Sequence, residues 1–90
     1  MTWSVRVLPQ AEEDLDWFRR HDRARYVKCF DLVRSVAQDP RSGIGKPERL
    51  RHFGDTEVWS RRVSLEDRMV YTVYQGSLQV DVSSCRQHCE

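Results

Sequence analysis

The sequence lacks any long apolar run, and its 90 residues leave little room for more than one folded unit. No stretch approaches the roughly 18 consecutive apolar residues that a membrane-spanning helix needs. The N-terminal segment is charged and does not have the pattern of a secretory signal peptide. We therefore expect one small soluble domain, residues 1–90, that has no contact with a membrane.

Cysteine is scarce and odd in number, with only Cys29, Cys85 and Cys89. An odd count without a signal peptide is typical of a protein kept in the reducing cytoplasm. On an extended chain Cys85 and Cys89 point to one side and His88 points to the other. Because neither a CxxC pair nor a second ligand pair is present, we predict no metal site and no other cofactor.

The few glycines and prolines are concentrated between residues 39 and 48, which predicts a loop there. The Gly-Ile-Gly-Lys string within it has the wrong spacing for a nucleotide phosphate loop, and Pro47 stands where that motif needs a hydroxyl group for magnesium. No nucleophile-elbow sequence occurs either. The loop can still hold Lys46 and Glu48 at the rim of a sheet, since loops commonly carry functional residues.

The sequence also lacks a strong net charge, which is only +1. The charge is unevenly placed, because residues 41–62 hold six basic and three acidic side chains, a local excess of +3. A near-neutral protein with one local basic stretch suits an anionic partner at a single face better than general coating of DNA.

Hydrophobic periodicity divides the first half of the chain into a strand and two helices. Residues 3–8 alternate as a strand, and Pro9 suits the first position of a helix. A second helix runs from Asp22, a suitable N-cap, to about Ala37, and so short a break predicts an antiparallel helical hairpin. The predicted buried stripes are Ala11, Leu15 and Phe18 on the first helix, with Trp17 beside them, and Tyr26, Phe30, Val33 and Ala37 on the second, widened by Val27, Cys29 and Val36.

The second half of the chain is rich in β-prone residues. Three strands are predicted, at residues 58–63, 69–73 and 78–83, and residues 49–53 also alternate. Two turns connect the three strands, and Gly76 is expected to supply a positive φ in the second turn. The order is β-α-α-β-β-β, which predicts an α+β fold with a helical hairpin packed on one face of a mainly antiparallel sheet.

Arginines are concentrated on the predicted hairpin formed by the first two of these strands. Arg61 and Arg62 are adjacent on one arm, and Arg68 lies opposite them where the second arm leaves the turn. Guanidinium groups on neighbouring strands can bind one phosphate together. The alternative is a solvated arginine surface that prevents aggregation at a strand edge.

Glu48, Arg68 and His88 together supply what metal-free RNA cleavage requires. A carboxylate can remove the proton of a ribose 2′-hydroxyl, an imidazole can protonate the departing 5′-oxygen, and a guanidinium can stabilise the charged phosphorane. Each has a simpler alternative: Glu48 as a turn residue, His88 as a tail residue, and Arg68 paired with an acid of its own turn. The predicted RNA- and phosphate-binding residues around them are Lys46, Arg51, Arg61, Arg62 and Arg86.

Three strings in the second half carry a family resemblance. They are Gly-Ile-Gly-Lys-Pro-Glu-Arg-Leu-Arg-His at 43–52, Trp-Ser-Arg-Arg-Val at 59–63 with Glu-Asp-Arg-Met-Val-Tyr at 66–71, and Cys-Arg-Gln-His at 85–88. With their spacing they resemble the YoeB/Txe group of the RelE toxin superfamily. The resemblance implies a RelE-like fold and a bacterial toxin that enters the ribosomal A site and cleaves mRNA there.

The resemblance also implies partners and residue roles. A cognate antitoxin of the YefM/Phd type would neutralise the toxin with a disordered tail, and homodimers are common in the group. Carried onto this chain, Glu48 is the general base, His88 the general acid and Arg68 the stabiliser of the transition state. Arg62 and Arg51 contact phosphate.

The C-terminus departs from the family pattern. Members typically end in His-Tyr, whereas this chain ends in His88-Cys89-Glu90. Cys89 offers no ring to stack on a base, and Glu90 adds a negative charge near the phosphate. Two alternatives therefore stay open beside the nuclease: a weakened relative that binds RNA or the ribosome without cutting, and a module that binds only the antitoxin.

Overall fold

The computed structural model describes residues 2–86, and it contains two helices and a five-stranded sheet. A short 3-10 turn, Gln75–Ser77, joins the last two strands. The predicted helical hairpin on a mainly antiparallel sheet is confirmed. In chain order the elements are β1 (Ser4–Val7), α1 (Pro9–His21), α2 (Arg23–Gln38), β2 (Glu48–Arg49), β3 (Glu57–Arg62), β4 (Arg68–Tyr74) and β5 (Gln79–Ser84).

The strands lie in the order β1-β5-β4-β3-β2, with β1 parallel to β5 and the other neighbours antiparallel. One strand was not counted in the predicted order. It is β2, which spans Glu48–Arg49 rather than residues 49–53. It pairs with β3 at the edge of the sheet, so Glu48 lies on a strand rather than in a loop.

Local sequence explains how the two helices begin. Pro9 occupies the start of α1, where its missing N–H group would have no partner in the helix. Asp22 caps α2, and its carboxylate accepts a hydrogen bond of 3.2 Å from the backbone N–H of Arg25. The α1–α2 break at Asp22 is therefore as short as the sequence predicted.

The buried face of α2 agrees with the prediction at Cys29 and Val36 but not at Phe30. Cys29, Leu32 and Val36 are fully buried against the sheet, whereas the side chain of Phe30 is 44% exposed. The ring of Tyr26 packs edge-on against Phe30, with their centroids 4.9 Å apart at the rim of the core. The structure therefore centres the buried stripe on Cys29, Leu32 and Val36, with Phe30 at its edge.

The sheet has one face covered by the helices and one face that the helices leave uncovered, called here the open face. On β4, Met69 and Tyr71 point towards the helices and belong to the core. Directly opposite residues of neighbouring strands share a face. Glu48 lies opposite Ser60, which lies opposite Val70, so these three residues belong to the open face.

A β-bulge changes the face of the last residues of β5. Val82 lies opposite Tyr71, but Ser84 rather than Ser83 lies opposite Val70. This extra residue reverses the alternation, so Cys85 turns back into the core beside Cys29. A hydrogen bond to Cys29 and burial raise the pKa of the Cys85 thiol.

The turn before β5 is built differently from the prediction. Gly76 does not have a positive φ, and Leu78, at φ 51°, adopts the left-handed conformation instead. Its backbone N–H donates to the carbonyl of Gln75 and so closes the 3-10 turn. No helix in residues 2–86 is long and apolar enough to cross a membrane.

Candidate active site

The loop before β2 delivers Glu48 to the edge of the sheet. Gly45 has a φ of +83°, which favours glycine, and a Cβ atom there would lie only 2.6 Å from Leu32 Cδ2. A larger residue at this position would therefore be strained. The carbonyl of Gly45 accepts a hydrogen bond of 2.7 Å from the backbone N–H of Arg62. The loop is thus fixed to β3, and three residues later the chain pairs with that strand at Glu48.

Glu48 and Arg68 meet on the open face. Oε1 of Glu48 lies 3.9 Å from Nη1 of Arg68, and the two side chains are 68% and 47% exposed. Arg62 lies directly opposite Arg68 on the hairpin. A shallow surface depression of this region is lined by Lys46, Pro47, Glu48, Arg62 and Arg68. One carboxylate and three cationic side chains therefore surround a space that is open to solvent.

The weak contact between Glu48 and Arg68 leaves both side chains available for contact with an anionic ligand. A pair at 3.9 Å in water is weak, and both groups keep most of their hydrogen-bonding capacity. Guanidinium and ammonium groups from three positions can bind the oxygens of one phosphate. The carboxylate beside them can accept a proton.

Arg61 does not take part in this site, which corrects the predicted phosphate contact. Its side chain is fully buried on the helix side of the sheet. Its five N–H donors each have an acceptor, so none remains for a ligand. The acceptors are the hydroxyls of Tyr71 and Ser35 and the backbone carbonyls of Asp39, Ser42 and Ile44, at 2.7–3.1 Å.

Arg86, also predicted to bind phosphate, is held against α1. The centre of its guanidinium lies 3.6 Å from the ring centroid of Trp17, which is a stacked cation–π contact. Its backbone N–H donates to Asp14. Arg86 does not line the depression around Glu48 and Arg68. The structure therefore does not bring Arg86 together with the other predicted residues.

Two predicted residues remain, Arg51 and His88. Arg51 is exposed in the bend that follows β2. His88 lies outside the described residues, so its role as the acid stays a prediction. Within residues 2–86 no group of three or more histidine, cysteine, aspartate or glutamate side chains could hold a metal ion.

The sequence reasoning did not single out Ser60. Its side-chain hydroxyl is buried between Glu48 and Val70, and it has no hydrogen-bond partner among residues 2–86. A buried hydroxyl without a partner is uncommon, because its desolvation costs about 1–3 kcal/mol. A serine in a strand gives no indication in the sequence of a functional role. Only the position of Ser60 opposite Glu48 in the structure places it beside the candidate site.

Arg25 was also missed. Its guanidinium bonds Asp67 at 2.6 Å and Glu66 at 3.2 Å, which are the two acids of the β3–β4 turn. Arg68, for which the sequence left open a pairing with these acids, lies 3.9 Å from Glu48. Arg25 lies 41 residues before Glu66, and nothing in the local sequence predicts the contact.

Comparison with known proteins connects this site to one family. A family model described as a YoeB-like toxin of bacterial type II toxin–antitoxin systems matches residues 8–89. Toxin YoeB of Synechocystis is 39% identical over 75 residues, which are 83% of this chain and 84% of that protein. Toxin RelK of Mycobacterium tuberculosis is 37% identical over 86 residues, which are 94% of this chain and 96% of that protein.

Solved structures agree with the sequence comparison. The YoeB dimer of Staphylococcus aureus has a TM-score of 0.83 at 32% identity, over 99% of this chain and 100% of that one. A heterotetrameric YoeB–YefM toxin–antitoxin complex from the same organism contains a chain with a TM-score of 0.80 at 33% identity, with the same coverage. The family resemblance predicted from the three strings is confirmed. This chain belongs to the YoeB-like toxins of bacterial type II toxin–antitoxin systems.

Proposed function

We propose that this toxin is a ribosome-dependent endoribonuclease that cleaves mRNA without a metal ion and so inhibits translation in the cytoplasm. The observation that carries the proposal is the Glu48–Arg68 pair on the open face, with Lys46 and Arg62 beside it. These residues supply a proton acceptor next to cations suited to a phosphate, which is the combination that RNA cleavage through the 2′-hydroxyl needs.

The chemistry proceeds by transfer within the RNA chain. Glu48 removes the proton of the ribose 2′-hydroxyl, and the 2′-oxygen attacks the adjacent phosphorus. The bond from phosphorus to the 5′-oxygen breaks, and an acid, predicted to be His88, protonates that oxygen. The products are a 2′,3′-cyclic phosphate and a 5′-hydroxyl. Arg68 and Arg62 neutralise the charge that grows on the phosphoryl oxygens.

The shape of the site supports dependence on the ribosome. Glu48 and Arg68 are largely exposed at the edge of a sheet, and the depression around them is shallow. Such a surface cannot by itself hold RNA with the attacking oxygen in line with the leaving oxygen. Correct alignment contributes much of the rate enhancement of many enzymes. A substrate already fixed in the ribosomal A site would supply the alignment that this surface lacks.

We also infer an antitoxin partner. The Staphylococcus aureus YoeB in the comparison is found in a heterotetramer with YefM, and another structure of it is a dimer. By family membership this chain would bind an antitoxin of the YefM/Phd type and would be able to form a homodimer. A small acidic protein encoded beside this toxin gene is the expected partner.

The test is cleavage of mRNA on reconstituted ribosomes with a codon in the A site, followed by primer extension. The expected result is a cut in the A-site codon, a 2′,3′-cyclic phosphate at the new end, and much slower cleavage of the same RNA without ribosomes. A zinc-specific chelator that leaves ribosomes intact should not change the rate. In cells that express the toxin, growth arrest without any cut in the mRNA would contradict the nuclease proposal and favour a toxin that only binds. Normal growth and translation would favour a module that binds only the antitoxin.

A further inference from the structure

Arg25 connects the start of α2 to the tip of the β3–β4 hairpin. Besides Glu66 and Asp67, its guanidinium contacts its own helix cap, with Nε 3.1 Å from Oδ2 of Asp22. One side chain therefore holds three carboxylates from two elements. The Arg25 side chain is only 32% exposed, and that of Asp67 is 8% exposed, so the shorter of the contacts is shielded from water.

The turn that Arg25 holds is itself tightly bonded. The hydroxyl of Ser64 accepts hydrogen bonds from the backbone N–H groups of Glu66 and Asp67, and it donates to the Asp67 carboxylate. The carbonyl of Asp67 accepts from the N–H of Val63. Arg68 is the next residue. The position from which the Arg68 side chain leaves the backbone is thus fixed through Asp67 to α2.

Charge balance gives this arrangement a consequence for the site. Arg62 and Arg68 lie directly opposite each other, and like charges at such positions repel. Glu66 and Asp67 are the acids nearest to them along the chain. Without the charge of Arg25 beside them, these acids would attract the two site arginines and would make the surroundings of the phosphate more negative. Arg25 occupies both acids on the side of the helices, while Arg68 remains directed towards Glu48.

We propose that Arg25 is a positioning residue, which holds the Glu66–Asp67 pair and so keeps Arg62 and Arg68 available for the scissile phosphate. This inference rests on the proposed nuclease function, which it extends to a residue that does not touch the substrate. It states that the acids of the turn, rather than any loss of folding, cause the loss of activity when Arg25 is removed.

The experiment compares single-turnover cleavage on ribosome complexes for the wild type, Arg25→Met and Arg25→Met/Glu66→Gln, with urea unfolding of each. Arg25→Met should lower the maximal rate about tenfold, a usual size for coupling between groups that act through one another. The double variant should recover part of the rate, because one of the two competing carboxylates is neutralised while that of Asp67 remains. Arg34→Met is the matched control, since Arg34 pairs with Asp31 on the exposed side of the same helix.

Several results would overturn the inference. If Arg25→Met changes only the urea midpoint and not the maximal rate, Arg25 is merely structural. If the double variant is as slow as Arg25→Met, Glu66 does not compete for the site arginines and the inference fails for that acid. If Arg25→Met does not fold, Arg25→Lys is measured in its place. Arg25→Lys keeps the charge, and its cleavage rate should be about threefold lower than that of the wild type. Adding Glu66→Gln to Arg25→Lys should raise that rate again. An inactive wild type contradicts the proposed function and this inference with it, whereas an active wild type with an equally active Arg25→Met contradicts this inference alone.

Discussion

Asp14 and Cys85 lie 71 positions apart, and the backbone N–H of Cys85 donates a hydrogen bond of 2.8 Å to the carboxylate of Asp14. The same oxygen accepts a second bond, of 3.2 Å, from the N–H of Arg86. Asp14 is only 2% exposed, so both hydrogen bonds are shielded from water. Helix α1 therefore fixes the point from which the chain continues to His88, two residues on.

Replacement of Asp14 should loosen this anchor. In Asp14→Ala the N–H groups of Cys85 and Arg86 lose their acceptor, which should lower the free energy of unfolding by about 2 kcal/mol. Hydrogen exchange at those two amides should speed up more than at Val80 or Val82 in the middle of β5. If His88 is the acid, cleavage should slow as well. Unchanged exchange at both amides would show that other contacts hold this end of β5.

Arg61 and Arg62 are neighbours in sequence, but Arg61 is buried and Arg62 is exposed, and a matched pair of variants tests their proposed roles. Arg61→Met leaves three backbone carbonyls and two hydroxyls without their donor, so it should cost about 3–5 kcal/mol in urea unfolding. Arg62→Met removes an exposed side chain and should change stability by less than about 0.5 kcal/mol. It should instead slow mRNA cleavage. If the two variants lost the same amount of stability, the conclusion that Arg61 stabilises the core and Arg62 does not would be contradicted.

Acid should weaken the fold partly through Glu57. Hydrogen bonds from Arg41, then from Trp59, hold the pKa of Glu57 below its ordinary value of 4.5. A carboxyl with a lowered pKa in the folded state stabilises the protein above its unfolded pKa, and this contribution is lost as the pH falls through the folded value. The difference in unfolding free energy between the wild type and Glu57→Gln should therefore shrink below pH 4.5. Arg41→Met should behave alike, and a difference that stays constant with pH would exclude this linkage.

Local signals were sufficient for most of the fold. Pro9 and Asp22 mark the starts of the helices through effects within one turn, and the alternation of β3 and β4 is visible in the sequence itself. The face of α2 was harder, because a helix with apolar residues on more than one side does not specify which side the sheet covers. Cys29 and Phe30 are adjacent, yet one is buried and the other is 44% exposed.

The placement of the candidate site residues was predictable where the family strings contain them, and it was not predictable where contacts distant in sequence decide it. Glu48 and Arg68 were expected together and lie 3.9 Å apart. Arg61 could not be distinguished from Arg62 in the sequence, since only its distant acceptors, such as Ser35, show that it is a core residue. The contact of Arg86 with Trp17 could not be predicted for the same reason, because Trp17 lies on the first helix.

The central claim is that Glu48 accepts the proton of the attacking 2′-hydroxyl. Single-turnover cleavage of mRNA on ribosome complexes by Glu48→Gln tests it most directly, with Glu13→Gln on the exposed part of α1 as the matched control. The Glu48 side chain is 68% exposed, so both variants should unfold at the wild-type urea concentration. We expect Glu48→Gln to lose about 10²–10⁴ in rate and Glu13→Gln to keep it. A folded Glu48→Gln that cuts at the wild-type rate would contradict the account.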